Sequence, residues 1–152
     1  MQKPKISALV IALKSPVIVG IYKDNVLIQT IQSEDMTSDA LPKIFDDILD
    51  KYSLENLYYA NGPGSYMSIK LTFIFLRTLA IIHDIKLFAS SAFGFCDNQP
   101  IKALGKKYFV LVDGDIELQT IEPVLTEFTL PQNLLDVILE DNYEPNYVLP
   151  AV

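Results

Sequence analysis

The stretch LYYANGPGSYMSIKLTFIFLRTLAIIH, residues 57–83, contains the change of pattern that decides the fold. Residues 57–60 are apolar and β-prone, and a loop rich in glycine and proline follows them directly at 61–64. Ser65 stands where a helix can begin, because its hydroxyl can cap the first turn. Apolar residues then recur at helical spacing to about His83. The stretch therefore predicts a short strand, a tight loop and a long helix.

Upstream of this stretch, the sequence predicts three strands and a helix. Residues 6–13, 17–22 and 26–32 are β-prone and separated by short turns, which favours an antiparallel meander. Thr37 or Ser38 can cap the helix that follows, and Pro42 is expected in its first turn. The apolar residues at helical spacing in this helix are Leu41, Ile44, Phe45, Ile48, Leu49 and Tyr52.

Downstream, residues 86–89 predict one more strand, which gives the order β-β-β-α-β-α-β. A meander followed by crossovers implies a mixed sheet with helices packed on it, so the predicted fold class is α/β. We divide the chain into a main domain, 1–98, and a shorter second subdomain, 99–152. In the second subdomain we expect a linker at 98–105, a hairpin of 107–112 with 116–121, a short helix at 134–139 and an irregular tail.

Composition limits the kinds of function that the chain can perform. Half of its residues are apolar and its net charge is −7, which suits a packed globule that does not bind nucleic acid by itself. The single cysteine, Cys96, fits a reducing compartment. Charged residues interrupt every long apolar run, so we expect a cytoplasmic protein without a membrane span.

The segment at 61–70, NGPGSYMSIK, resembles the signature loop and helix start of the TsaB (YeaZ) family. The family pattern is G-P-G-S-F-T-G, followed by an apolar residue and Arg. Tyr66 stands in place of the Phe, Lys70 in place of the Arg, and Arg77 falls where the family carries a polar or basic residue. The resemblance covers about residues 5–95 and is looser beyond them. The residues identical to the pattern are Gly62, Pro63, Gly64 and Ser65.

The resemblance implies a ribonuclease H-like, actin-like ATPase (ASKHA) fold with a truncated second half. It also implies a role in making N6-threonylcarbamoyladenosine (t6A) on tRNA. In that system TsaB is a non-catalytic platform for the catalytic subunit TsaD and the small ATPase TsaE, and TsaD carries the metal and nucleotide chemistry. This chain departs from the family at the end of its first strand, where Ala12-Leu13 replaces the usual Asp-Thr.

The sequence lacks the catalytic residues that enzymes of this fold would need at the predicted strand positions. A ribonuclease H-like nuclease holds two metal ions on acidic residues of its first and fourth strands, and neither 6–13 nor 57–60 contains one. Cys96 and His83 lack an evident third group to orient them as nucleophile and base. Pro63 offers no N–H to a phosphate, so residues 62–65 are expected to be a structural turn and helix start. We therefore assign no catalytic, cofactor-binding or metal-binding residue.

The long helix carries two apolar stripes. Tyr66, Ile69, Phe73, Leu76 and Ala80 share one face, and Met67, Leu71, Ile74, Phe75 and Ile82 share another. Two stripes call for two packing partners, one of which is the protein's own sheet. The second stripe fits either a fully buried helix or a subunit interface shared with the first helix. The predicted interface residues are Leu41, Ile44, Phe45, Ile48, Met67, Lys70, Leu71, Ile74, Phe75 and Arg77.

The sequence and the resemblance together predict a non-catalytic partner subunit of the t6A machinery. Its expected partners are a TsaD-type catalytic subunit and a TsaE-type ATPase. Two alternatives stay open, namely an actin-fold enzyme acting as a peptidase or ATPase, and a stand-alone homodimer. The sequence does not choose between a heterodimer and a homodimer.

Overall fold

A computed structural model describes residues 2–148, which form two sheets and two long helices. The first part of the chain runs β1 (Lys5–Ile11), β2 (Val17–Lys23), β3 (Val26–Ser33), α1 (Thr37–Lys51), β4 (Ser53–Ala60), α2 (Tyr66–His83) and β5 (Lys86–Ser90). After a short 3-10 turn at Ala92–Phe95 follow β6 (Ile101–Leu104), β7 (Lys107–Val112) and β8 (Asp115–Thr120). A second 3-10 turn spans Leu134–Asp136.

The first sheet has the predicted mixed architecture. Its strand order is β3-β2-β1-β4-β5. β1 pairs antiparallel with β2, which pairs antiparallel with β3, whereas β4 lies parallel to both β1 and β5. The meander and the crossovers through α1 and α2 are therefore confirmed, and so is the α/β fold class.

The central strand β1 is buried on both faces, which explains its almost unbroken apolar sequence. Ala8 and Val10 point into a cluster with apolar residues of α1 and α2. Leu9 and Ile11 point to the opposite side, into a cluster that contains Phe109 of β7. This alternation follows from the two-residue period of a strand. The helices therefore cover one face of the first sheet, and the segment after residue 98 packs on the other through a shared core.

The second half differs from the sequence prediction in two elements. The expected linker at 98–105 contains β6, because Ile101 is buried and Lys102 pairs with Tyr108 of β7. The expected helix at 134–139 is reduced to the turn Leu134–Asp136, in which Leu134 alone is buried. The hairpin of β7 and β8 is confirmed, with positive φ angles at Asp113 and Gly114 in its turn.

The predicted helix caps are only partly right. α1 begins one residue after Met36, and neither Thr37 nor Ser38 is its cap. The Thr37 hydroxyl lies 3.2 Å from the Ser68 hydroxyl of α2, so it links the two helices. Pro42 sits in the second turn of α1, not the first. Ser65 is the residue before α2 as predicted, although its side chain makes no capping hydrogen bond within residues 2–148.

Candidate protein interface

One face of α2 packs against the protein itself. Ile69, Leu76 and Ala80 of the first predicted stripe are buried, and so is Thr72 between the stripes. The Thr72 hydroxyl donates to the Ser68 carbonyl oxygen at 2.7 Å, so its polar group is satisfied inside the helix. The first stripe therefore meets the sheet, as the spacing predicted.

The other face of α2 borders a groove against α1, which we call the α1–α2 groove. It is about 450 Å³ in volume and its walls are almost entirely apolar. Ile74 is 50% exposed and Ile82 is 67% exposed, both at this groove. The residues that carry the argument are Leu41 and Pro42 of α1 with Leu71, Ile74, Phe75 and Ile82 of α2. Ile74 and Ile82 of the second stripe thus remain exposed within residues 2–148, which excludes a fully buried helix.

The groove brings together four of the predicted interface residues, namely Leu41, Leu71, Ile74 and Phe75. Met67 and Lys70 are exposed on the same helix, and Met67 lines a neighbouring depression with Leu71. Sequence reasoning missed Pro42 and Thr78 as lining residues. It also missed Ile81, which is 63% exposed near the end of α2. The sequence showed the apolar residues around these positions, but it did not show the angle at which α1 packs against α2, which determines the residues that line the groove.

Most α1 residues of the predicted interface belong to the protein's own core. Ile44, Phe45 and Ile48 are at most 8% exposed and pack in the cluster beneath the helices. The Phe45 ring lies 5.6 Å from the ring of Phe75, so these side chains bind α1 to α2. Leu41 is also buried and forms the floor of the groove. The prediction that Ile44, Phe45 and Ile48 meet another subunit is corrected accordingly, because these residues already pack within the chain.

Arg77, predicted to lie at an interface rim, makes a contact within the chain that the sequence did not predict. Its guanidinium carbon lies 5.0 Å from the centroid of the Tyr143 ring, a cation–π geometry. Tyr143 stacks in turn on Phe73, with centroids 6.1 Å apart. Arg77 and Phe73 of α2 therefore both contact Tyr143 in the C-terminal segment.

The loop at 61–64 is tied into the protein by backbone hydrogen bonds. The Asn61 N–H donates to the Ser90 carbonyl at 3.0 Å, and the Ala92 N–H donates to the Gly62 carbonyl at 2.8 Å. Gly62 has φ +123°, which a side chain rarely allows. A Cβ on Gly64 would come within 2.9 Å of the Leu13 Cβ. The Ser65 N–H donates to the Leu13 carbonyl oxygen at 3.0 Å, and Pro63 is buried. These observations agree with a structural role for Gly62, Pro63, Gly64 and Ser65.

The groups that could carry catalysis are placed unfavourably for it. Ala12 and Leu13, at the end of β1, are buried apolar residues. Cys96 is 6% exposed, and burial raises the pKa of its thiol, which disfavours the reactive thiolate. His83 is exposed at the last residue of α2. Among residues 2–148, no three His, Cys, Asp or Glu side chains lie together in a way that could hold a metal ion.

In the described part of the chain, α2 alone is long and apolar enough to pass as a membrane-spanning helix. This criterion considers only the length and composition of a helix, and a core helix of a soluble protein also meets it. One face of α2 does pack on the sheet, and the helix carries Lys70 and Arg77. The exposed apolar residues of α2 include Ile74 and Ile82 at the α1–α2 groove.

Comparison with solved structures confirms the fold. YeaZ from Pseudomonas aeruginosa superimposes with a TM-score of 0.60 at 14% identity, covering 80% of this chain and 66% of that one. An uncharacterized protein with similarity to peptidase YEAZ from Pseudomonas aeruginosa gives 0.56 at 13% identity, with the same coverage. The chain thus spans just under two thirds of the length of either structure, in keeping with the predicted shortening. No family model matches the sequence. No curated protein matches it either.

Proposed function

We propose, from a fold shared with YeaZ, that this chain is a non-catalytic partner subunit of the machinery that makes t6A on tRNA. In this role it binds a TsaD-type catalytic subunit through the α1–α2 groove. The partner supplies the metal and nucleotide chemistry, and a TsaE-type ATPase acts on the assembled pair. Because the chain carries a net charge of −7, the tRNA contacts come from the other subunits.

The observation that carries the proposal is the exposed apolar surface of α2. Ile74, Ile81 and Ile82 each expose half or more of their surface to solvent on one helix. Burying apolar surface yields roughly 25 cal/mol per Å², so a partner that covers this stripe gains substantial free energy. A stable interface needs roughly 800 Å² per partner, which two adjacent helices can present.

Two features favour a supporting role over an enzymatic one. The residues that follow β1, Ala12 and Leu13, are buried and apolar, so they supply no carboxylate to hold a metal ion. The buried, protonated Cys96 is a poor nucleophile. The word peptidase describes one structural neighbour and not this chain. At 13% identity, that neighbour supports a common fold but no common chemistry.

The experiment is light scattering of the purified chain, first alone and then mixed with a TsaD-type subunit. The proposal expects a one-to-one heterodimer in the mixture. A chain that forms a stable dimer alone and ignores the TsaD-type subunit would favour the homodimer alternative. A chain that stays monomeric in both samples would refute both forms of the interface.

A further inference from the structure

A second cavity lies on the other side of the first sheet, where the end of β1 meets β6 and the segment that follows β8. It is about 380 Å³ in volume and we call it the β1–β6 cavity. Its walls are mostly apolar, and the side chains that define them are Leu13, Ile101, Ala103, Leu125 and Phe128. This volume falls within the range of small-molecule sites.

The charge at this cavity is opposite to that of the whole protein. The chain has 19 acidic and 12 basic residues, yet within the described residues the cavity is lined by two lysines, Lys14 and Lys102, and by no Asp or Glu. Lys106, in the turn after β6, and Lys107, the first residue of β7, lie outside the cavity lining. Two separate depressions also share Lys14, and the acidic residues lie in these: Glu127 in one, Glu34 and Asp35 in the other. A small anion is therefore attracted to this cavity even though the protein is acidic overall.

Lys14 is held over the cavity without a carboxylate partner. Its ammonium group donates to the Thr126 carbonyl oxygen and lies 5.9 Å from the centroid of the Phe128 ring. The ion pairs within residues 2–148 are Lys43–Asp35 and Lys51–Asp47, and neither involves Lys14. A carbonyl and an aromatic face orient the ammonium group but leave its full charge in place. An anion in the cavity would therefore provide the negatively charged partner that Lys14 lacks among residues 2–148.

We propose that the β1–β6 cavity binds a small organic anion that has an apolar tail. The anionic group, a carboxylate or a phosphate monoester, sits between Lys14 and Lys102 in charge-assisted hydrogen bonds. The tail lies against Ile101, Ala103 and Phe128, where it is removed from water. This site is separate from the α1–α2 groove, so it does not depend on the proposed function.

The test is isothermal titration of the full chain with octanoate, octyl phosphate and octanol. Octanoate or octyl phosphate should bind saturably at one site, and octanol should bind at least about fivefold more weakly because it lacks the charge. The two anions distinguish a carboxylate ligand from a phosphate one. Equal affinity for octanol, or no saturable binding of either anion, would overturn the proposal.

Substitutions locate the site. Lys102→Gln, at an exposed position, should weaken anion binding about fivefold, and Ala103→Trp should abolish it by filling the cavity. Lys106→Gln is the matched control, because it removes the same charge from the adjacent turn and should leave the affinity nearly unchanged. Lys14→Gln should act like Lys102→Gln, with its melting temperature checked because Lys14 also bonds to Thr126. Equal losses in the Lys102 and Lys106 variants would mean that only general charge attracts the anion, and the assigned cavity would be wrong.

Discussion

The carbonyl oxygen of Asn146 occupies the space that a side chain on Gly62 would need. The Asn146 N–H also donates to the Asn61 carbonyl oxygen at 2.8 Å, and the Asn61 side-chain amide donates to the Glu144 carbonyl at 2.9 Å. The loop before α2 and the C-terminal segment are therefore built around each other, although more than 80 residues separate them. This contact therefore holds the loop that leads directly into α2.

Gly62→Ala should destabilise the protein strongly. The substitution combines an unfavourable φ of +123° with a collision against Asn146, so we expect a loss of about 3 kcal/mol or more in the free energy of unfolding. Gly105→Ala is the control, because Gly105 also has positive φ, +57°, but nothing lies within 4 Å of its added Cβ. Urea denaturation measures both. Equal losses would show that the contact with Asn146 does not matter.

Arg77→Ala should affect stability and leave partner binding alone. Loss of the cation–π contact with Tyr143 should cost about 0.5–1 kcal/mol, measured by thermal unfolding. Lys70→Ala, on the same helix but exposed, should change stability by less than about 0.5 kcal/mol. A weaker complex with a TsaD-type subunit in the Arg77 variant, at unchanged stability, would instead support the predicted position of Arg77 at the interface rim.

Stability should fall in alkaline solution because of buried tyrosines. Burial, with Glu144 as a smaller contribution, raises the pKa of Tyr59, whose hydroxyl donates to the Tyr143 carbonyl at 2.7 Å. Burial also raises the pKa of Tyr22. Above pH about 10 the unfolded chain releases these protons and the folded protein keeps them, so the free energy of unfolding decreases as pH rises. Tyr59→Phe should make the free energy of unfolding less dependent on pH between pH about 10 and 11.5. An unchanged dependence would show that Tyr59 is not the cause.

The lone chain should not hydrolyse ATP, cleave protein or degrade RNA. It should also show no thermal shift with ATP and magnesium, because a ligand that binds only the folded state must raise its stability. The physical reason is the apolar end of β1, where Ala12 and Leu13 offer no ligand to a metal ion. A magnesium-dependent shift of several degrees in differential scanning fluorimetry would overturn this interpretation.

The sequence predicted what local periodicity determines. The strands of the meander, the hairpin around Gly114 and the two stripes of α2 all follow from repeats of two or about 3.6 residues. Sequence reasoning failed where a contact between residues far apart in the chain determines the structure. Nothing near Arg77 indicates Tyr143, and nothing near Ile101 indicates that β6 would join β7. The apolar stripe of α1 looked available because periodicity does not tell which surface a stripe meets.

The central claim is that the α1–α2 groove binds another subunit, and two isoleucines of nearly equal exposure test it. Ile74 is 50% exposed at the groove, whereas Ile28 is 49% exposed on β3, at the edge of the first sheet. A charge at the centre of an apolar contact has to be desolvated, so Ile74→Glu should weaken binding by at least about a hundredfold, and Ile28→Glu should not.

The measurement is the dissociation constant for a TsaD-type subunit, by isothermal titration of the wild type and both variants, after circular dichroism has shown that all three are folded. If the groove is the interface, the wild type and Ile28→Glu should bind tightly, and Ile74→Glu should show no measurable binding. Binding by Ile74→Glu that equals the wild type would contradict it.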